Sequence, residues 1–378
     1  MDVGAPPLEG FRVKHFGYFV ACFLLVSCSS APLKYEKAKE LEVNAEFDKA
    51  VKVEEVAPSA AATGTAKPPK HEETPVVVPK ATPSELERTI APEKKEEAPK
   101  VVAKPVKKAP AKSKKGKKME EPAAPTRRQP DIEDDNGFQG RRPIKEPFRV
   151  GEVITHDVSY LTFTAGSLKL KVEPMVNVNG RKAYNFVTEI TTYPVYSRIY
   201  SVNDRVETYV DYETLVPRTY ALHVKESGQL REARMLFDDK TSRATFWEKK
   251  VTEKNGEEEK KQDWDILPYS QNVFSAIFYM RNFQWEPGKE IAFRVADDEQ
   301  NLIFKGKCLR REKIDTEIGE KEALVIKPEI ILKGKFKPVG DIYIWLSDDE
   351  YKYPLRIEAK IKIGSLVSEV TSIVPGHN

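Results

Sequence analysis

The residues that could do chemistry are few and scattered. Of five histidines, the three beyond residue 146, His156, His223 and His377, lie on separate segments, and none has a ligand-type neighbour at i+2 or i+4. No paired-cysteine pattern and no His-Glu-x-x-His occurs, so the usual zinc spacings are missing. There is no Gly-x-Ser-x-Gly elbow and no glycine loop to cradle a phosphate. Two charged groupings remain. Asp348 and Asp349 follow Ser347 beside Trp345; adjacent carboxylates could touch a cation, but aspartate there more often shapes a turn. Glu152, Asp204, Arg205 and Glu207 can supply a buried ion pair, which is favoured over catalysis. Nothing in these patterns asks for a metal or another cofactor, and the chain reads as a binding or structural protein, not an enzyme.

The elements that would position these residues follow from composition. The chain has 378 residues and splits into three stretches: 1–27, a middle stretch 28–146, and 147–378. From Ser29 to Glu146 there are 15 prolines and three aromatics, Tyr35, Phe47 and Phe138. So little apolar bulk cannot offset the entropy of ordering a chain, and this stretch is expected to be a long disordered linker with at most a transient helix between Leu33 and Val53. The last stretch holds 28 of the 36 aromatics and all four tryptophans, enough for one core. Its 35 basic and 36 acidic residues nearly cancel, which argues against a nucleic-acid surface.

Within 147–378 the apolar residues recur with period two, the mark of half-buried strands. Val153–Tyr160, Ser167–Glu173, Lys182–Thr192, Arg205–Tyr212, Thr219–Lys225 and Arg231–Phe237 all show it, and more such runs follow to Ile373. Asn177-Val178-Asn179-Gly180 reads as a hairpin turn. One helix is expected over Ser270–Asn282, with Ser270 as its cap and Val273, Phe274, Ile277 and Phe278 as its apolar stripe. The charged stretch Lys249–Gln262 reads as an exposed loop. The fold class is therefore all-β: a large antiparallel sheet, curled or forming a partly open β-barrel, with one short helix. Curling also removes long open edges. Cys308, on one face with Leu302, Phe304 and Gly306, is expected to be a buried small residue without a disulfide partner.

Near the start, Arg12, Lys14 and His15 precede an apolar run from Phe16 to Val26. A run of this length suits an export signal and is too short for a membrane-spanning helix of about 20 residues. It ends in Leu25-Val26-Ser27-Cys28, which resembles the bacterial lipobox. The resemblance implies a signal peptide cut before Cys28 and a lipidated Cys28 that holds the chain to a membrane through acyl chains. Ser29, in place of an aspartate, leans toward the outer membrane, with the domain facing the periplasm. As a coil the linker would separate its ends by roughly 60 Å. From Lys100 to Lys118 it carries nine lysines and no acid, which suits contact with an anionic envelope polymer, although a solvated spacer explains it as well.

The order of short motifs in the last stretch resembles the bacterial family named domain of unknown function 3108. It runs from Gly151-Glu152 and Ala165-Gly166 through Asp204-Arg205-Val206-Glu207-Thr208 and Asp211. It continues with Ser275-Ala276, Tyr279-Met280-Arg281 and Pro287-Gly288-Lys289, then Trp345-Leu346-Ser347-Asp348-Asp349, Pro354 and Gly364-Ser365. Asn272 stands where that family usually has an aspartate. The resemblance implies an exported protein with an antiparallel, partly open β-barrel, and no transferable activity or catalytic set. Among its positions Arg205 and Arg281 are the better candidates for function, since an arginine in a barrel mouth needs an acidic partner or an anionic ligand.

Three readings follow. The leading one is a non-catalytic envelope binding or assembly module with an apolar or glycan ligand on a concave sheet, and it requires a ligand-sized cavity. The second is a structural tether between the outer membrane and the cell wall or an envelope complex, with a protein partner the sequence does not name. The third, an enzyme, requires Asp204, Glu207 and Arg281 to converge in one pocket.

Overall fold

The computed structural model describes residues 41–56, 145–161, 163–332, 335–337, 341–361 and 364–377, with side chains left aside at 331–340 and 361. The described residues all belong to one compact unit. Cys28, the export signal and Lys100–Lys118 lie outside the described residues.

The described strands form one antiparallel sheet. A short helix α1 (Ala45–Ala50) and strand β1 (Val53–Glu55) come first. The long strands follow: β2 (Val150–Tyr160), β3 (Phe163–Val178), β4 (Arg181–Thr192), β5 (Asn203–Asp211), β6 (Pro217–Glu226), β7 (Gln229–Asp238), β8 (Arg243–Thr252) and β9 (Gly256–Asp265). After helix α2 (Ser275–Tyr279) and a 3-10 turn (Met280–Asn282) come β10 (Glu290–Asp297), β11 (Gln300–Thr316), β12 (Gly319–Leu332), β13 (Lys335–Lys337), β14 (Asp341–Ser347), β15 (Pro354–Ile361) and β16 (Gly364–His377). The main path runs β10-β11-β12-β14-β15-β16-β2 and on in order to β9. Thus β2 and β16 pair in the middle of the sheet, while β9 and β10 are its two end strands, β10 being bridged on its outer side by Gln271. The sheet is curled and not closed, as the period-two patterning implies.

The pleat sorts the side chains. Along β2 burial alternates, with Glu152, Ile154, His156 and Val158 turned inward. The same parity holds on β6, where Tyr220, Leu222, Val224 and Glu226 face in. Gly166 on β3 sits so close to β4 that a Cβ there would lie 2.2 Å from the Thr191 carbonyl oxygen, which accounts for a glycine at this motif position.

Three expectations are corrected. Lys249–Gln262 is not a loop: it lies mostly in the hairpin of β8 and β9. Its alternating charges face one another across the strands, Glu248 opposite Lys260, Lys249 opposite Glu259 and Lys250 opposite Glu258. Opposite-charge pairs support a ladder, and an edge strand covered in charge resists pairing with another chain. The helix is shorter than Ser270–Asn282. Asn272 ends the preceding turn, its Oδ1 accepting from the Phe274 and Ser275 N–H at 2.9 and 2.7 Å. The Ser270 hydroxyl instead bonds the Leu267 carbonyl. An amide oxygen serves this role as well as a carboxylate, so Asn272 is compatible with the fold.

The third correction concerns the expected linker. Residues 41–56 are a docked arm, not a transient helix. Phe47 meets Trp247 edge-on at 5.8 Å and, with Val51, packs on Val176, Val178, Ala183 and Tyr209. Leu41 packs with Leu230 and Val251. The Trp247 indole N–H donates to Glu46 at 3.1 Å, and β1 extends the sheet beside the end of β3, with Val53 opposite Val178. The Asn179 side chain bonds both the Lys52 N–H and the Ala50 carbonyl. Phe47→Ala is expected to remove about 2 kcal/mol of docking through lost burial. Amide exchange should then speed up at 45–55 while β2–β8 stay protected; unchanged exchange at 45–55 would show that the ring does not hold the arm.

Candidate functional site

The curled sheet encloses a cavity of about 230 Å³. Its wall is apolar: Leu168 and Leu170 on β3, Val206 on β5, Leu222 on β6, Phe246 on β8 and Ile344 on β14 contribute to it. Val273, Phe274, Ala276, Ile277 and Met280, on and around α2, form one side. Three residues of the predicted apolar stripe, Val273, Phe274 and Ile277, therefore line a space that the sheet leaves open, while Phe278 stacks on Phe186 outside that lining.

Polar groups enter the wall mainly where β5, β6 and β7 adjoin. Asp204, Glu226, Gln229 and Arg231 line this part, along with Asp297 at the end of β10 and Asp298 just after it. Arg231 is held by Glu248, Nε to Oε1 at 3.0 Å and Nη2 to Oε2 at 3.3 Å. Glu226 Oε2 accepts from the Tyr200 hydroxyl at 2.7 Å and from Gln229 Nε2 at 2.8 Å. Asp204 Oδ1 accepts from the Lys225 N–H at 3.0 Å. Burial, then the neighbouring Glu226 charge, pushes the Asp204 carboxyl up to about 8. Two carboxyl groups in an apolar wall cannot both stay ionised at little cost, so this pair shares a proton.

The other predicted residues fall elsewhere. Arg205 and Glu207 alternate with Asp204 and point away from the cavity: Arg205 pairs with Glu189 and Glu207, and Tyr209 donates to Glu207 at 2.7 Å. Burial pushes the Glu207 carboxyl up, but bonds from Tyr209 and Arg205 and the guanidinium charge outweigh it and hold it below the usual range. Arg281 is buried against Glu152. Trp345 is buried, its indole N–H on Glu312 at 2.7 Å. Asp348 pairs with Arg311, and Asp349 closes a turn by accepting from the Tyr351 and Lys352 N–H at 2.9 Å each. Asp204, Glu207 and Arg281 thus do not converge: one faces the cavity, one the outer face, one a buried pair.

Among the described residues one group has the spacing of metal ligands: Glu42, His223 and Glu232. The protein's own cations already serve it. Arg234 donates to Glu232 at 3.1 Å, and Lys225 Nζ lies 3.6 Å from Glu42. Cys308 is buried, as its spacing implies, and burial pushes its thiol up. Glu226, Gln229, Arg231 and the apolar wall were not singled out by the sequence. Glu226 was within reach of it, since it continues the inward parity of Tyr220, Leu222 and Val224.

A family model described as Protein of unknown function (DUF3108) matches residues 155–371. Among solved structures, a β-barrel-like protein of the domain of unknown function DUF1849 from Brucella abortus is similar at 8% identity and a TM-score of 0.37, over 60% of this chain and 98% of that one. A protein described as exported, with a YmcC-like fold, from Bacteroides fragilis is similar at 10% identity and a TM-score of 0.28, over 61% and 98%. A protein described as a lipoprotein from Parabacteroides distasonis matches at 10% identity and a TM-score of 0.28, over 62% and 100%. No curated protein matches the chain.

Proposed function

The chain belongs to the family Protein of unknown function (DUF3108), and on that footing we propose that it is an exported, lipid-anchored envelope module that holds an apolar molecule in its curled sheet without transforming it. The cavity carries this reading. A dry apolar space of about 150 Å³ suffices for a guest the size of benzene. This one, at about 230 Å³, is larger and still mostly apolar, so a slender hydrocarbon chain suits it better than a glycan. A sugar would need polar partners all along its length, and the wall offers them chiefly at one place. Carriage or sensing of such a guest needs no catalytic set, which accords with the separation of Asp204, Glu207 and Arg281.

The docked arm bears on where the guest is met. Cys28 stands 13 residues before Leu41. A lipid at Cys28 would keep the arm's docking face within about 45 Å of the membrane, at roughly 3.4 Å per residue. The sheet would then work close to the bilayer, the outer membrane's periplasmic face being the assignment the Ser29 position favours. The alternative is a tether that grips wall or an envelope partner through Lys100–Lys118. It predicts that deleting that tract abolishes envelope association; unchanged fractionation would sink it.

The test of the leading reading is native mass spectrometry of Ser29–Asn378, exported behind an ordinary signal and purified without detergent. An added mass that disappears on denaturation is expected. Leu222→Trp, which puts an indole into the space, should remove that mass while the fold is kept. An unliganded mass for the parent protein, together with no uptake of an apolar fluorescent probe, would overturn the reading.

A further inference from the structure

We infer that the guest carries a hydrogen-bond-donating head, a hydroxyl or an amine, received by the carboxyl pair of Asp204 and Glu226, and that the site discriminates against amphiphiles with anionic heads. This rests on the apolar-cavity reading and specifies its ligand. Asp204 is 8% exposed and Glu226 2% exposed, and both line the cavity from adjacent strands. They hold one proton between them, so most of their lone pairs still lack a donor. Glu226 Oε2 is taken by Tyr200 and Gln229, and among the described residues Oε1 has no donor but the proton shared with Asp204. A ligand donor placed there would satisfy a buried carboxyl oxygen that is otherwise costly to leave in an apolar wall.

The charge balance points the same way. Arg231 is the nearest cation on the cavity wall, and both its Nε and Nη2 are committed to Glu248. Against it stand Asp204, Glu226, Asp297 and Asp298. Lys260 lies 3.2 Å from Asp298, so that carboxylate is compensated, but no such cation sits between Asp204 and Glu226 among the described residues. A carboxylate or phosphate head brought to this wall would meet the negative charge of the carboxyl pair, with Arg231 already engaged by Glu248, and would have to lose its hydration to do so. A hydroxyl brings a donor at no charge cost. An amine brings donors and a charge that one ionised carboxylate neutralises.

The experiment is competition on the mature chain Ser29–Asn378 loaded with an apolar fluorescent probe. Dodecanol, dodecylamine, dodecanoate and dodecyl phosphate, each below its micelle concentration, are compared at pH 7. The alcohol and the amine are expected to displace the probe at concentrations about tenfold or more lower than the two anions, the scale of one hydrogen bond to a charged group. Asp204→Asn with Glu226→Gln should close most of that gap, and Leu222→Trp should abolish uptake of the probe itself. Equal or tighter binding of the anions, with the probe still bound in the cavity, overturns the head-group inference and leaves the apolar site standing. Failure of the probe to bind at all overturns both.

Discussion

Arg281→Met is expected to lower the unfolding free energy by about 3–5 kcal/mol, the usual cost of orphaning one half of a buried ion pair. Both side chains are 1% exposed. Arg281 Nη1 donates to Glu152 Oε1 at 2.7 Å and Nη2 to Oε2 at 2.9 Å, a bidentate fork. Nη2 also reaches the Pro147 carbonyl at 2.6 Å, and Nε the Tyr351 carbonyl at 3.0 Å. The guanidinium lies 5.3 Å from the Tyr353 ring centre and 5.9 Å from that of Phe148. One side chain thus ties the 3-10 turn after α2, the start of β2 and the turn before β15. With methionine in its place, Glu152 is left charged in an apolar setting and two carbonyls lose their donors. Lysine should rescue little, because a point charge cannot make the fork. Removing both charges, Arg281→Met with Glu152→Leu, should recover much of the loss, since a well-packed apolar pair often replaces a buried ion pair without penalty. Urea midpoints at constant slope measure this. A variant of normal stability that had lost its ligand would instead place Arg281 at the binding site.

How much of this was legible beforehand depends on which signal the residues carry. The sheet was legible, because inward Ile154, His156 and Val158 alternate with outward positions and nothing competes with that pattern. β9 was hidden because its pairing is written in charge: no apolar alternation marks Glu257–Lys261, only their partners on β8 do. The arm was hidden by averaging. Phe47 and Val51 are few among many prolines and lysines, and what they pack on is more than a hundred residues away. Arg281 stood out in sequence as a possible anion binder, yet its partner Glu152 lies 129 residues earlier, so only the folded sheet shows the pair to be internal. Asp204 and Glu207 looked like one acidic grouping. Their odd spacing puts them on opposite faces of β5, and the physics of the pleat alone separates a cavity residue from an outer one. The acidic pair of Asp204 with Glu226 needed the register of β5 on β6.

Acidifying the medium is expected to move stability in opposite senses through two inward groups, and two single variants should separate them. The Asp204 carboxyl, pushed up to about 8 by burial and by Glu226, binds its proton more tightly folded than unfolded. Its contribution is therefore fully present below about pH 4 and is lost as pH rises toward 8. Glu226 and Arg231 are the charged groups that act on it, the first raising and the second lowering its affinity for the proton. His156 is fully buried between Ile154 and Val158, with Nδ1 3.0 Å from the Ser368 hydroxyl. Burial pushes it down to about 4, against the pull of its bonds at Ser368 and Pro354. A histidine held neutral gives a contribution that is present above about pH 6.5 and lost as pH falls toward 4, worth about 3 kcal/mol over that span. From pH 8 to 6.5 only Asp204 acts, so the parent protein should gain stability on acidification, by at most about 1.4 kcal/mol per unit. Below 6.5 the two oppose and the profile should flatten. Asp204→Asn should remove the gain above 6.5 and leave a clear fall below it, whereas His156→Gln should keep gaining down to pH 4. Urea midpoints across this range read the result. If Asp204→Asn showed no fall below 6.5, His156 would not be held neutral, and if it kept the gain above 6.5, the carboxyl pair in the cavity wall would not be sharing a proton.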